Sequence, residues 1–286
     1  MSRGIALVTD STAYLPDEVA ARHDITVVPV QVVIGGTSHD EGSGISPASV
    51  AEALSDWRPV TTSRPSPQAF LDAYETAAAS GATGVVSVHL SADMSGTIGS
   101  AELAAREASI PVRVVDSRTL GMAMGFPVAT GAEVAERGGD LDAVESAVAA
   151  RCQGSSVFFY VDTLEYLRRG GRIGAAAALV GSALSVKPLL QMVDGRIALL
   201  EKVRTSSKAL ARLEEVAVER CGSQTVDVAV HHLASLERAS NLAERLRLRV
   251  PGLRELLVSE VGAVVGAHVG PGMLAVAVVP AAARAG

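Results

Sequence analysis

The chain has 286 residues, a length that corresponds to about two domains of ordinary size. Hydrophobic residues make up 48% of it and charged residues 20%, a composition that excludes intrinsically disordered and collagen-like chains. The formal net charge is −6 and there is no long basic run, which argues against a nucleic-acid partner held through its phosphates. Aromatic residues amount to only 3%, so the apolar surface is built almost wholly from aliphatic side chains.

The first half of the chain repeats one pattern: a short apolar run, a cluster of Ser, Thr and Asp, and then a helical segment. Apolar runs at residues 5–8, 85–90 and 112–115 each lead into such a cluster, and residues 61–67 supply a fourth. Strand, loop and helix in this order predict a parallel sheet with helices on both faces. We therefore predict an N-terminal α/β/α domain over residues 1–155.

The four clusters fall at the carboxyl ends of the predicted strands. Ligands of parallel sheets bind beyond that edge, and the N-termini of the helices that follow favour an anion there. Helix capping alone explains any single cluster, but four at equivalent strand ends favour a hydroxyl-lined anion site.

After about residue 155 the pattern changes to hairpins mixed with helices, which predicts an α+β domain over residues 156–286. The Asp-Gly pair at 194–195 predicts a hairpin turn. Residues 174–184 are apolar nearly all round and predict a buried helix. Residues 261–283 come closest to a membrane span, but glycines and prolines divide them, so two buried strands around a Gly-Pro-Gly turn are expected.

Cysteine and histidine positions give no sign of a metal site. Cys152 and Cys221 lie far apart and form no C-x-x-C pair, which fits a reducing cytosol. His231 and His232 are adjacent on a predicted strand and point to opposite faces, so we expect structural roles for both. His268 lies among small residues, and a core histidine and a ligand-binding one explain it equally well. With no signal-peptide pattern, the protein is expected to be soluble and cytoplasmic.

Two alternatives, one catalytic and one nucleotide-binding, have weaker support in the sequence. A serine hydrolase or esterase would use Ser95, yet its Asp-Met-Ser-Gly context is not the G-x-S-x-G elbow, and the sequence places no partner histidine. The glycine-rich run at 170–174 lacks the G-x-G-x-x-G spacing of a dinucleotide site and is expected to end one helix and begin another.

Nine short motifs follow one another along nearly the whole chain. They are Val-Thr-Asp-Ser-Thr at 8–12, Thr-Ser-Arg-Pro-Ser at 62–66, Ser-Gly-Thr at 95–97, Val-Asp-Ser at 115–117, residues 162–173, Lys-Pro at 187–188, Asp-Gly at 194–195, Lys-Val-Arg at 202–204 and His-Val-Gly-Pro-Gly at 268–272. Together they resemble the DegV family, bacterial proteins that bind a fatty acid. The resemblance implies the two domains described above, with one long-chain acyl ligand buried in a tunnel between them.

The resemblance also implies roles for individual residues. Thr62 and Ser95 match the residues that hold the ligand carboxylate. Four further residues match positions in or near the head-group pocket: Ser91, Gly96, Arg172 and His268. Arg204 matches the region implicated in docking to a kinase, because some family members present the carboxylate to a separate fatty acid kinase that converts it to acyl phosphate.

The implied protein is therefore a lipid-binding carrier with no catalytic residue, no metal and no cofactor besides its bound fatty acid. A monomer is expected, and a transient membrane contact is compatible with this role. A subunit whose main task is docking to a partner is a further hypothesis.

Three positions depart from the family pattern. Arg64 stands where Gln is usual, Met273 where a small residue is common, and Ala92-Asp93 replaces a small polar pair. Arg64 would add a cation near the head group or point to solvent, and an inward-facing Asp93 would repel an anion.

Overall fold

The structure is a computed structural model that describes residues 4–179 and 187–281. Within these residues the chain forms three sheets and ten α-helices. The strands are β1 (Ile5–Asp10), β2 (Thr26–Val28), β3 (Gln31–Ile34), β4 (Thr37–Asp40), β5 (Val60–Ser63), β6 (Gly84–His89), β7 (Val112–Asp116), β8 (Ser156–Tyr160), β9 (Lys187–Val193), β10 (Arg196–Val203), β11 (Val226–His232), β12 (Leu253–Glu260) and β13 (Leu274–Pro280). The helices are α1 (Asp17–Arg22), α2 (Pro47–Ser55), α3 (Pro67–Ala79), α4 (Thr97–Ala105), α5 (Met122–Glu136), α6 (Leu141–Gly154), α7 (Glu165–Arg169), α8 (Ser206–Cys221), α9 (Leu236–Arg249) and α10 (Ala263–Val269).

The first sheet is parallel, with the strand order β2-β1-β6-β7. Its central strand β6 is buried along its whole length, as expected for a parallel sheet that is covered on both faces. Phe70 and Tyr74 of α3 pack on one face, and Val128 of α5 and Val148 of α6 pack on the other. The N-terminal α/β/α architecture that the sequence predicts is thus confirmed.

The second sheet has six strands in the order β10-β9-β8-β13-β11-β12, and only β11 and β12 run parallel. Helices α8 and α9 cover its outer face, while α5 lies between its inner face and the first sheet. Asp194 and Gly195 form the turn between β9 and β10 with φ of 50° and 80°, the left-handed values that a type I′ hairpin requires. The α+β prediction is confirmed. Strand β8 begins at Ser156, but a division into separate domains there stays a prediction.

A third, antiparallel sheet has the order β4-β3-β5 and is absent from the sequence predictions. Each of its strands has only four residues, and β4 reads Thr-Ser-His-Asp, without the apolar alternation that marks a strand. Val30 and Val32, beside and within β3, pack against Val50 of α2 and Val264 of α10, so this sheet joins an early segment of the chain to a late one.

Two predictions for apolar segments are wrong. The first half of residues 261–283 forms α10 instead of a strand, and the buried carboxylate of Glu41 accepts a hydrogen bond from Val264 N in its first turn at 2.7 Å. Residues 174–179 form a 3₁₀ helix in which Ala175 and Ala177 are exposed, so the buried α-helix is not found there. The rest of that predicted helix, residues 180–184, lies outside the described residues.

The remaining expectations concern membrane spans and cysteines. No helix among the described residues combines the length and the apolar character that crossing a bilayer requires. Cys152 and Cys221 are both buried free thiols, and burial raises their pKa values to about 12 and about 11.

A buried ion pair connects the two halves of the chain. Arg151 of α6 donates from Nη2 to Asp227 Oδ2 of β11 at 2.5 Å, and the Asp227 side chain is completely buried. Arg254 of β12 binds the same carboxylate, and Arg151 also donates to the hydroxyl of Thr130 at 2.5 Å. The Arg151–Asp227 ion pair is therefore buried between α6 and the six-stranded sheet, almost out of contact with solvent.

Candidate ligand-binding cavity

A cavity of about 210 Å³ lies between the carboxyl edge of the parallel sheet and the inner face of the six-stranded sheet. Leu90 and Leu120 follow β6 and β7 on one side, while Val157, Phe159 and Met192 of β8 and β9 form the other. A single water needs only about 10–15 Å³, so there is room for an organic ligand. Because most of the wall is apolar, the cavity favours an apolar chain.

Thr62 brings a hydroxyl to one end of this cavity. Side chains alternate along β5, so Thr61 and Ser63 are exposed while Thr62 is partly buried; Thr62 and Ser63 both line the cavity, and Thr61 does not. Its Oγ1 lies 2.8 Å from Nε2 of His268, at the end of α10. The two residues are 206 positions apart in the sequence, and only the packing of α10 against the third sheet brings them together.

The imidazole of His268 is neutral at ordinary pH. Burial lowers its pKa to about 4, with a further contribution from the positive charge of Arg172. Its Nδ1 is buried without a hydrogen-bond partner among the described residues and faces Gly170, where a Cβ would lie 2.0 Å from it. An unpaired buried lone pair is less costly than an unpaired N–H. We therefore assign the proton to Nε2, which donates to Thr62 and leaves the threonine hydroxyl proton free to donate to a ligand.

Ser95 and Gly96 reach the cavity at the start of α4. Ser95 Oγ lies 2.9 Å from the hydroxyl of Thr97 and accepts from Thr97 N at 3.3 Å. Gly96 is the N-cap of α4, and a Cβ there would lie 2.4 Å from Nη1 of Arg64. The absence of a side chain at Gly96 thus lets the guanidinium lie directly over the helix start.

Arg172 connects two loops that border the cavity. Its Nε donates to the carbonyl of Met94 at 3.1 Å, and its Nη1 donates to the carbonyl of Gly170 at 2.6 Å. Both acceptors are uncharged. The guanidinium therefore lines the cavity with its charge uncompensated by any carboxylate in these contacts.

Two of the predicted site residues lie elsewhere. Ser91 is completely buried, but it is not among the residues that line the cavity, because its hydroxyl donates to the carbonyl of Gly195 in the β9–β10 turn at 2.7 Å. A head-group role for Ser91 stays a prediction. Arg204 is exposed just after β10, consistent with a surface role.

Of the four hydroxyl clusters, two border the cavity and two are structural. The cluster after β1 uses the buried Asp10 carboxylate to accept from Thr12 N at 3.0 Å and from Leu90 N at 3.0 Å. The cluster after β7 uses Ser117, whose hydroxyl accepts from Thr119 N at 3.3 Å. In these two clusters the side chains bind neighbouring backbone groups: Asp10 caps the short 3₁₀ turn Ser11–Ala13, while α5 begins after Gly121 without a side-chain cap.

The residues that depart from the family pattern lie in three different surroundings. Asp93 is turned away and pairs with Arg196 at 2.7 Å, so it does not repel an anion in the cavity. Met273 is buried in the cavity wall. Arg64 lines the cavity and is exposed at its rim.

Two cavity residues were not expected from sequence reasoning. Tyr14 follows β1 in a left-handed conformation with φ of 51°, and its ring meets that of His231 edge-on with centroids 5.9 Å apart. His231 was expected to be structural, and it does accept from Met122 N at 3.1 Å, but it also lines the cavity. Burial lowers its pKa to about 4, so it is neutral. No group of three potential metal ligands occurs within the described part of the chain.

Comparison with known proteins identifies the family and the fold. The sequence profile described as the DegV family of uncharacterised proteins matches residues 4–281. The chain belongs to the DegV family. The DegV domain-containing protein SCO2569 of Streptomyces coelicolor is 61% identical over 278 residues, which cover 97% of this chain and 99% of that protein.

Three solved structures, two of them DegV proteins, share the whole fold. A fatty-acid-binding DegV protein from Thermus thermophilus has a TM-score of 0.92 at 32% identity, covering 97% of this chain and 99% of that one. DegV of Bacillus subtilis, described as a fatty acid binding protein, has a TM-score of 0.90 at 33% identity, with 98% and 100% covered. A stearic-acid-binding protein from Eubacterium ventriosum has a TM-score of 0.88 at 25% identity, with 98% of each chain covered.

Proposed function

We propose that this DegV chain binds a long-chain fatty acid, with the tail in the cavity and the carboxylate at Thr62 and Ser95. The observation that carries the proposal is the Thr62–His268 pair, a hydroxyl oriented by a neutral imidazole at the polar end of a largely apolar cavity. The DegV relatives of known structure that bind fatty acids support it.

The energetics assign different tasks to the two ends of the ligand. Burying about fourteen methylenes at about 0.8 kcal/mol each contributes roughly 11 kcal/mol before the costs of binding. Moving a carboxylate partly out of water costs several kcal/mol, and each hydrogen bond to the charged group offsets about 1.5–3 kcal/mol of that cost. The tail therefore supplies affinity, while Thr62 and Ser95 orient the head.

The geometry favours a carrier over the esterase alternative. The hydrogen bonds of the Ser95 side chain go to Thr97, whereas a serine nucleophile needs an adjacent general base. Of the two imidazoles that line the cavity, that of His268 contacts Thr62 and lacks the carboxylate that orients the base in a catalytic triad, and that of His231 contacts Met122 N and the hydroxyl of Ser259.

Replacing Thr62 by valine is expected to lower fatty acid affinity about tenfold or more, because it removes one charge-assisted hydrogen bond and leaves the shape nearly unchanged. Palmitate and oleate titration by calorimetry measures the effect, and mass spectrometry of solvent extracts identifies any co-purified lipid. Thr61→Val is the matched control, since that side chain is exposed on the opposite face of β5. A wild-type protein that carries no lipid and takes up neither acid would refute the proposal.

We further propose that a separate fatty acid kinase phosphorylates the bound acid to acyl phosphate, and that Arg204 contributes to the docking surface. Exposure of Arg204 away from the cavity lining is compatible with this role. The cytoplasmic location, the monomeric state and a transient membrane contact stay predictions from the sequence.

Arg204→Glu is expected to weaken kinase capture about tenfold while leaving palmitate affinity within twofold of wild type, because only the docking surface changes sign. A pull-down with the cognate kinase, run beside the binding titration, measures both quantities. Lys208→Glu on the nearby α8 makes the same charge change and serves as control. Equal capture of all three proteins would rule out a docking role for Arg204.

A further inference from the structure

The charges around the cavity do not match a fatty acid carboxylate alone. Among the described residues that line it, Arg64 and Arg172 are the charged side chains, and no Asp or Glu occurs. The two histidines of the wall are neutral at ordinary pH, since the pKa of each is lowered to about 4. The head-group end therefore presents two positive charges to a ligand whose carboxylate carries one negative charge.

Neither guanidinium is neutralised within the protein. Arg172 donates its hydrogen bonds to the carbonyls of Met94 and Gly170, which are uncharged. The side chain of Arg64 has no hydrogen bond or ion pair with any residue in the ranges 4–179 and 187–281. The acidic side chain of Asp93, three residues before Gly96, pairs with Arg196 at 2.7 Å.

The position of Arg64 suits a ligand atom beyond the carboxyl carbon. Its guanidinium lies over Gly96 at the start of α4, lines the cavity and is exposed at the rim. In an acyl phosphate or an alkyl phosphate, the phosphoryl group extends the head away from the tail, toward such a rim. The group carries about −1.5 to −2 charges at pH 7, and a guanidinium binds it through two parallel hydrogen bonds.

We propose that Arg64, together with Arg172, makes this cavity select a long-chain ligand with a dianionic phosphate head over the corresponding carboxylate. The inference rests on the proposed fatty acid site, because the same apolar cavity holds the tail. Arg64 is thus a specificity-determining residue: it distinguishes the phosphorylated from the unphosphorylated head, while Thr62 and Ser95 contact both.

The test compares hexadecyl phosphate, a stable phosphomonoester, with palmitate at pH 7.4 in wild type, Arg64→Gln and Arg64→Lys. We expect the ratio of palmitate Kd to hexadecyl phosphate Kd to fall about tenfold in Arg64→Gln, because one charge-assisted contact to the dianion is lost. Arg64→Lys keeps the charge without the planar fork and is expected to fall between the two. Arg106→Gln, at the other end of α4 and also exposed, is the control for long-range charge.

The outcomes separate the inference from the proposed function. If wild type binds palmitate and the ratio is the same in Arg64→Gln as in wild type, the role of Arg64 is refuted while the fatty acid site stands. If neither amphiphile binds wild type, the proposed function itself fails. A ratio that falls equally in Arg106→Gln would assign the effect to net charge and overturn the inference.

Discussion

Gly170→Ala is expected to lower fatty acid affinity about 10- to 100-fold, the largest binding effect we predict for adding a single methyl group. A Cβ at position 170 would lie 2.0 Å from Nδ1 of His268, far inside contact distance, so the imidazole must move. Its hydrogen bond to Thr62 is then lost, and the hydroxyl is no longer oriented toward the ligand.

Palmitate titration of the variant measures this effect. Gly99→Ala in α4 is the matched control, because a Cβ there meets no atom within 4 Å. The melting temperature of both variants shows whether the fold is retained. Binding by Gly170→Ala within twofold of wild type would show that the position of His268 is unimportant for the ligand.

Asp227→Ala is expected to destabilise the fold by about 3–5 kcal/mol, because removing one partner of a buried ion pair leaves the other charge buried alone. The carboxylate is completely buried and binds both Arg151 and Arg254, and its removal leaves Arg151 buried without a counter-ion. Urea denaturation at neutral pH measures the change.

Glu244→Ala removes an exposed ion pair with Arg247 at 3.0 Å and is the control, expected to change stability by less than about 1 kcal/mol. If the two variants unfold at similar urea concentrations, the buried pair contributes little, and the connection between the layers depends on apolar packing instead.

The parts of the fold that depend on local pattern could be predicted from the sequence. The parallel sheet follows from the repeated order of strand, hydroxyl cluster and helix, and the hairpin at Asp194 follows from its turn residues. By contrast, α10 was expected to be a strand because a short apolar run fits either structure. Its first turn donates a hydrogen bond from Val264 N to Glu41, a residue 223 positions earlier that no local pattern connects to this segment.

The candidate site likewise contains residues that sequence motifs identify and residues that only the fold brings there. Thr62, Ser95, Gly96, Arg172 and His268 were identified through motifs and do line one cavity. Ser91 belongs to the same motif region, but its partner is the carbonyl of Gly195, a contact 104 residues away that no local pattern reveals. Tyr14 was missed because its place in the wall depends on a left-handed backbone and on His231, which arrives from the other sheet.

The separation of Thr62 and His268 along the chain has a consequence for biosynthesis. A growing polypeptide has no head-group site until residue 268 has been made and α10 has packed on a sheet formed from residues 31–63. Since a ligand that binds only the native state stabilises it by mass action, the fatty acid we propose would favour completed chains over every shorter intermediate. Occupancy would then report that synthesis and folding are both finished.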